Sequence, residues 1–279
     1  MQPNYFTPAE VAERQCEIGA QRTKQPVYKQ FMLGFMAGIF IALASQGTSV
    51  AIHTITSAGI ARFIAGILFP AGLILVVLAG GELLTGNCLM IVACMKKKIT
   101  PAAMLRSWAI VFAGNLVGAM LIVGLIVLSG QLNFSGGLLG GFTIKTAVYK
   151  TNLSFINAFC MGILCNILVC AALWIAVAAK DVAGKVLAVF FPIFLFITSG
   201  FEHSIANMYY IPAGIFAKAN ESWAAQAVGL GVSPAQLADL NFASFFVNNL
   251  LPVTLGNIVG GAVFIGLAYG FIFLRDEKG

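Results

Sequence analysis

Three ionisable residues lie inside strongly apolar stretches of the sequence: Glu82, Glu202 and His203. An ionisable side chain within a membrane helix is costly, and such residues tend to mark the path of an ion or a proton. Histidine changes its charge near neutral pH, and the chain has only one other histidine, His53. This set therefore predicts an ion pathway that includes His203; the alternative is a histidine that is only hydrogen-bonded in place.

Both glutamates follow glycines in short segments that interrupt apolar stretches. Residues 80–87 read Gly-Gly-Glu-Leu-Leu-Thr-Gly-Asn, and residues 198–204 read Thr-Ser-Gly-Phe-Glu-His-Ser. They predict two broken helices, whose second halves start near the bilayer centre with unpaired backbone N–H groups that favour an anion. A glutamate could instead cap these N–H groups and cancel their field, so these segments alone leave the sign of the ion open.

The composition predicts a membrane protein, because 59% of the 279 residues are hydrophobic and 9% are charged. A membrane-spanning helix needs roughly 20 apolar residues. The uninterrupted stretches are residues 30–52, 102–128, 155–178 and 245–274, and the interrupted ones are 62–95 and 186–217. We therefore expect an all-α polytopic protein with six transmembrane helices, the second and fifth broken, in a single channel domain over residues 1–279.

The distribution of basic residues predicts the orientation. With an internal amino terminus, 4 of the 16 lysines and arginines would lie outside, namely Arg62, Lys145, Lys150 and Lys218. The positive-inside rule then places both termini in the cytoplasm and the protein in the cell membrane. Residues 1–29 form a cytoplasmic segment, 30–274 the membrane domain and 275–279 a cytoplasmic tail. Thr7-Pro8-Ala9-Glu10 has the form of a capping box and predicts a short helix over residues 8–20.

The two halves of the chain share three patterns in the same order. Residues 35–39 and 159–163 share Phe-x-x-Gly-Ile, residues 69–73 and 191–195 share Phe-Pro-x-x-Leu, and residues 114–118 and 256–260 share Gly-Asn-x-Val-Gly. A repeat of three membrane helices must be inverted, because its second copy starts on the opposite side. Inverted repeats with glycine-interrupted helices in matching positions point to a transport path at the midplane.

Two segments resemble signatures of the formate/nitrite transporter family. Residues 79–86 are similar to the first signature and residues 165–172, Cys-Asn-Ile-Leu-Val-Cys-Ala-Ala, to the second, and the likeness extends over nearly the whole chain. Leu84 and Ala171 depart from the residues usual at their positions, without removing a polar group. The resemblance implies an aquaporin-like fold with a pore in each protomer of a homopentamer. The sequence has no Asn-Pro-Ala motif, which argues against a water or glycerol channel.

The resemblance also implies roles for individual residues. The family's mobile-loop threonine, vestibule lysine, pore asparagine and central histidine fall on Thr85, Lys150, Asn166 and His203, with Glu202 beside the histidine in the substrate pathway. The family's hydrophobic constrictions fall on Phe69, Leu73, Leu83 and Phe196. Two of these, Phe69 and Leu73, are four residues apart and share a helix face. On the residues alone, ordinary core packing explains the four as well, and Lys145 competes with Lys150.

The expected function is a channel for small monovalent anions of weak acids, namely formate, nitrite or hydrosulfide. A bare anion in a dry constriction loses its hydration, at an idealised penalty of order 20 kcal/mol, whereas the neutral acid avoids most of it. We expect His203, or water that it orients, to supply the proton, while Thr85 and Asn166 hydrogen-bond the substrate. The alternative is a proton-coupled anion carrier that works by alternating access.

The sequence predicts neither an enzyme nor a cofactor, metal or nucleic-acid partner. It contains no HExxH or GxSxG motif. Its six cysteines form no CxxC pair and are interpreted as small apolar packing residues. The expected partners are the anion, the lipid bilayer and the other protomers of a homopentamer.

Overall fold

The computed structural model describes residues 4–274, and within that range the chain is built from helices, with one isolated backbone bridge between Tyr5 and Ala179. The helices are α1 Pro8–Lys24, α2 Val27–Ile52, α3 Ala58–Gly80, α4 Leu84–Met95, α5 Pro101–Leu128, α6 Leu138–Thr151, α7 Phe155–Ala178, α8 Val182–Ser199, α9 Ser204–Ala217, α10 Glu221–Gly229, α11 Pro234–Asp239 and α12 Phe242–Leu274. The predicted tail, 275–279, lies outside the described residues.

Six of these helices are long and apolar enough to cross a membrane: α2, α3, α5, α7, α8 and α12. The predicted all-α class with six membrane-spanning helices is confirmed. Several helices begin three or four residues before the predicted stretch, as α2 does at Val27. Hydropathy marks only the lipid-covered part of a helix, whereas backbone hydrogen bonding continues into the interfacial residues Tyr28 and Lys29.

Helix α1 has the predicted capping box. The Thr7 hydroxyl accepts from the Glu10 backbone N–H, and the Glu10 carboxylate accepts from the Thr7 N–H at 2.7 Å. These hydrogen bonds from Thr7 hold the pKa of Glu10 below its ordinary value. The helix continues past the predicted end at residue 20 to Lys24, and buries Val11 and Cys16 where it packs on α4 and α12.

The chain ahead of α1 is also attached to the membrane helices. The Phe6 N–H donates to the carbonyl of Ala178 at 2.9 Å. The Phe6 ring lies 3.6 Å from the Arg14 guanidinium and 4.5 Å from the Lys180 ammonium, as cation–π contacts. The chain ahead of α1 is therefore held both by α7, through Ala178, and by α1 itself, through Arg14.

Two helices lead into short extended segments inside the membrane domain. At the end of α3, Gly80 has a φ of 95°, and residues 81–83 are non-helical, with Gly81 and Leu83 extended, before α4 begins. After α8, Gly200 has a φ of 74°, and residues 201–203 are non-helical, with His203 extended, before α9 begins. The left-handed conformation favours glycine at both points, because a Cβ would be strained there.

Each extended segment is hydrogen-bonded to the first membrane helix of its own half. The N–H of Glu82 donates to the carbonyl of Leu33 in α2 at 3.1 Å, and that of Glu202 donates to Met161 in α7 at 3.4 Å. Non-helical backbone within a membrane-spanning domain requires protein or water partners, and these hydrogen bonds supply protein ones. The inverted relation of the two halves stays a prediction.

Candidate functional site

His203 and Thr85, predicted from the two interrupted segments, meet in the structure. The Thr85 hydroxyl lies 3.0 Å from His203 Nε2, and both residues are buried. The backbone N–H of Ala206 donates to His203 Nδ1 at 3.3 Å, so Nδ1 is the acceptor and Nε2 carries the hydrogen. Thr85 then accepts from Nε2–H, which leaves its own O–H free to donate to a ligand.

Asn166 lies beside this pair but presents only its oxygen. Its amide nitrogen donates to the carbonyl of Thr85 at 3.1 Å and to that of Asn257 at 2.6 Å. Its Oδ1 is buried and has no hydrogen-bond partner among the described residues. An unpaired buried acceptor is costly unless a ligand or water supplies a hydrogen. The free oxygen is therefore an acceptor for a hydrogen from water or from a ligand that carries O–H.

The residues predicted as constrictions converge on one cavity. Phe69, Leu73, Leu83 and Phe196 line it together with His203. The cavity measures about 10 Å³, which is at the lower limit for a single water molecule. The rings of Phe69 and Phe196 meet edge to face with centroids 5.7 Å apart. His203 thus lines a narrow space that is otherwise apolar.

A larger cavity of about 190 Å³ lies between α1 and the membrane helices. Leu73 and Leu83 line both cavities, so these two side chains separate the larger space from His203. Arg22 and Lys185 also line the larger cavity and give it a basic wall. Sequence reasoning counted these two residues only as cytoplasmic charges, because nothing in their spacing indicates that α1 folds back over the membrane helices.

Glu202 forms a buried ion pair with Lys150. The Lys150 Nζ donates to the Glu202 carboxylate at 2.8 Å, and the amides of Asn207 and Asn249 donate to the same carboxylate at 2.6 and 3.3 Å. Lys150 lies near the end of α6 rather than in a loop, and the competing Lys145 is exposed. Of the two lysines, the structure therefore places only Lys150 at the site.

Glu82 occupies the corresponding place in the first half. Its carboxylate lies 3.8 Å from Arg22 Nε and accepts from the Asn87 amide at 2.9 Å. Asn87 and Asn207 each follow their glutamate by five residues. Each acid therefore has one cation and at least one asparagine amide as partners.

The interpretation in which the glutamates cap the second half-helices is wrong. The first N–H group of each helix donates to an asparagine of another helix. The Leu84 N–H donates to Asn115 Oδ1 at 3.1 Å, and the Ser204 N–H donates to Asn257 Oδ1 at 2.9 Å. The residue that directly precedes each helix is Leu83 or His203, so each glutamate lies one position too early to act as a cap. The carboxylates are directed to the cations instead.

Comparisons with known proteins agree with this architecture. A family model described as formate/nitrite transporter matches residues 9–271. "Formate channel FocA" of Escherichia coli (strain K12) is 38% identical over 280 residues, covering 97% of this chain and 95% of the relative. "Formate channel FocA" of Haemophilus influenzae is 39% identical, covering 94% and 93%.

Solved structures are similar over the same extent. "Pentameric formate channel with formate bound" is 41% identical, with a TM-score of 0.81, and the match covers 89% of this chain and 98% of that one. "FNT family ion channel" is 25% identical, with a TM-score of 0.78 and coverage of 94% and 98%.

Proposed function

The chain belongs to the formate/nitrite transporter family, and from that membership we propose that it is a formate channel in which the substrate crosses a dry constriction as the neutral acid. The observation that carries the proposal is the contact of His203 with Thr85 beside a small cavity whose other lining side chains are all apolar. Two curated relatives and one similar structure are named for formate.

The anion is first concentrated near the constriction. On the α1 side, Arg22 and Lys185 make the larger cavity basic, and on the Glu202 side Lys150 has the same role. Arg22 is paired with Glu82 and Lys150 with Glu202, so the charge around each pair is balanced and each cation attracts the anion only at short range. This suits a site that must release the anion as readily as it binds it.

The proton is exchanged at the centre. Formate takes up a proton at one carboxylate oxygen; this proton reaches the site from bulk water through His203 or through water that His203 orients, and the acid releases it to water on the other side of the constriction. The free Thr85 O–H donates to the substrate oxygen, and the unpaired Asn166 Oδ1 accepts the O–H of the acid. The neutral molecule avoids most of the desolvation penalty that a bare anion meets between Phe69, Leu73, Leu83 and Phe196.

We further propose a homopentamer with one pore per protomer, because a similar solved structure is named as pentameric. Both termini are cytoplasmic and the protein is a multi-pass component of the cell membrane, since that orientation leaves 4 of the 16 basic residues outside. Nitrite and hydrosulfide are further substrates, because they are small, singly charged and conjugate to weak acids.

The test is formate flux in proteoliposomes with His203→Phe, which fills a similar volume but exchanges no proton. We expect flux to be lost while the folded pentamer persists in detergent. His53→Phe is the matched control, because His53 lies at the end of α2 and bonds Ser135 instead. Unchanged flux in His203→Phe would remove proton exchange at this residue from the mechanism.

Two further measurements define the substrate and the transport mode. Formate, nitrite and hydrosulfide flux compared in one liposome preparation ranks the anions. Single-channel recording separates a pore, with unitary currents and a formate-dependent reversal potential, from a carrier that shows no unitary current. We expect no enzymatic turnover of the transported anion.

A further inference from the structure

The Gly-Asn-x-Val-Gly pattern occurs once in each half, and the transport mechanism above gives it no role. We propose that its asparagines are positioning residues: Asn257 fixes His203, and Asn115 fixes Thr85, each by holding the extended segment of its half. This inference rests on the proposed function only for its expected effect on flux.

Asn257 makes three buried hydrogen bonds around His203. Its amide nitrogen donates to the carbonyl of Gly162 at 2.8 Å and to that of Glu202 at 3.0 Å, and its Oδ1 accepts from the N–H of Ser204 at 2.9 Å. The residues bonded on either side of His203 are thus held by one side chain, itself fully buried.

Asn115 makes the same three hydrogen bonds in the first half. Its amide nitrogen donates to the carbonyls of Gly34 and Glu82, both at 2.8 Å, and its Oδ1 accepts from the N–H of Leu84 at 3.1 Å. Thr85 follows Leu84 directly, so its hydroxyl is placed by the same contact. Every amide hydrogen of the two asparagines has a backbone acceptor, which leaves neither side chain free to rotate.

The flanking glycines explain how the asparagines reach the extended segments. A Cβ on Gly118 would lie 2.0 Å from the carbonyl oxygen of Phe35, and one on Gly260 would lie 2.2 Å from that of Ile163. Helices α5 and α12 therefore lie in backbone contact with α2 and α7. Because these helices lie so close, the short side chain of Asn115 in α5 reaches the carbonyl of Glu82, and that of Asn257 in α12 reaches the carbonyl of Glu202.

The two asparagines act on different nitrogens of the same ring. The segment held by Asn257 leads into the first turn of α9, where Ala206 N–H donates to Nδ1 of His203. The segment held by Asn115 leads to Thr85, which contacts Nε2. Two charged groups lie near the ring: Glu202, which is its neighbour in the chain, and Lys150, which is paired with that glutamate.

The test is ¹⁵N NMR of the full-length protein labelled at histidine, because the chain has two histidines and His203→Phe assigns the signals. Asn257→Asp keeps the side-chain size but loses the amide hydrogens that bond Gly162 and Glu202. We expect the Nδ1 signal of His203 to shift while the signals of His53 stay in place. Asn115→Asp should shift the Nε2 signal more than Nδ1.

Formate flux is measured on the same samples, and we expect each variant to lose about tenfold or more, since a misplacement of about 1 Å at a reacting group can cost about a hundredfold. Asn152→Asp is the matched control, because this asparagine is exposed directly after α6 and its amide donates to the Val148 carbonyl, away from both extended segments. It should keep both the spectrum and the flux of the unmodified protein.

Asn257→Ser is a second variant that retains one donor and introduces no carboxyl group. Unshifted His203 signals with full flux in both Asn257 variants would overturn the proposal. It would also be overturned if neither variant can be isolated folded while Asn152→Asp can, because the asparagine would then serve folding alone. The spectrum does not depend on transport, so a His203→Phe protein with normal flux would refute the proton step and leave the positioning role measurable.

Discussion

The ion pair between Lys150 and Glu202 gives two separable expectations, one for stability and one for anion capture. Lys150→Met removes the charge and keeps most of the side-chain length. The side chains of Lys150 and Glu202 are 12% and 2% exposed, so the remaining carboxylate would be buried without its cation. Breaking a buried pair by removing one partner typically costs about 3–5 kcal/mol.

The expected loss lies at the lower end of that range, about 3 kcal/mol, because the amides of Asn207 and Asn249 still donate to the carboxylate. Glu202→Gln added to Lys150→Met removes the unpaired charge and retains an oxygen for those amides. We expect the double variant to regain about 2 kcal/mol, which is within the range of coupling energies for residues in contact.

Anion capture should respond differently. The double variant still lacks the Lys150 ammonium, so its formate flux should stay low at both salt concentrations, whereas Lys150→Met alone leaves an uncompensated carboxylate whose repulsion of the anion should weaken as salt screens the field. Thermal unfolding in detergent and liposome flux at two salt concentrations measure the two effects. Lys145→Met is the matched control, because Lys145 is exposed on the same helix.

Two results would refute this reasoning. A double variant no more stable than Lys150→Met would show that the buried charge of Glu202 was not the source of the loss. Full flux in the double variant at low salt would show that Lys150 anchors Glu202 and does not attract the anion.

Three further outcomes are expected. Leu83→Ala should lose about 2–5 kcal/mol of stability yet raise formate flux and admit acetate, and lowered stability with unchanged selectivity would contradict the constriction role of this buried residue. Arg22→Ala should reduce stability, because the buried Glu82 carboxylate, 4% exposed, would lose its cation; the loss should be smaller than for Lys150→Met, because the pair is 3.8 Å long and the Arg22 side chain is 24% exposed. It should also reduce low-salt uptake from the α1 side of oriented liposomes. Thr7→Ala should remove hydrogen-exchange protection at the start of α1. Because the pKa of Glu10 is lowered, the capping contribution of Glu10 is present at neutral pH and is lost as the pH falls through that lowered pKa. Acid should therefore reduce protection in the unmodified protein and have little effect in the variant.

Hydropathy and spacing predicted the membrane helices because both depend on local composition. The apolar stretch 155–178 coincides with α7, and the glycines at 80 and 200 lie where helical structure stops. The first residues of α2 and α8 were missed because interfacial residues continue a helix without being apolar. The extension of α1 to Lys24 was missed for the same reason, since its polar residues pack on other helices.

The site was predictable where a residue is unusual for its surroundings and not where it is ordinary. His203 and the two glutamates are rare in apolar stretches, and the structure brings His203 to Thr85. Asn115 and Asn257 were visible only as part of a repeated pattern, with nothing to indicate which backbone atoms they bond. Asn249 had no signal at all, because its contact with Glu202 depends on how α12 packs.

The position of the asparagine contacts along the chain has a consequence for biogenesis. All three partners of Asn115 lie between residues 34 and 84, and all three partners of Asn257 lie between residues 162 and 204. The polar backbone of the first extended segment can thus be satisfied as soon as α5 has entered the bilayer, before the ribosome has made α7. A chain divided in the 129–137 connection would still carry a complete set of these bonds in each fragment, so co-expressed fragments should insert separately and then assemble around the contact of Thr85 with His203.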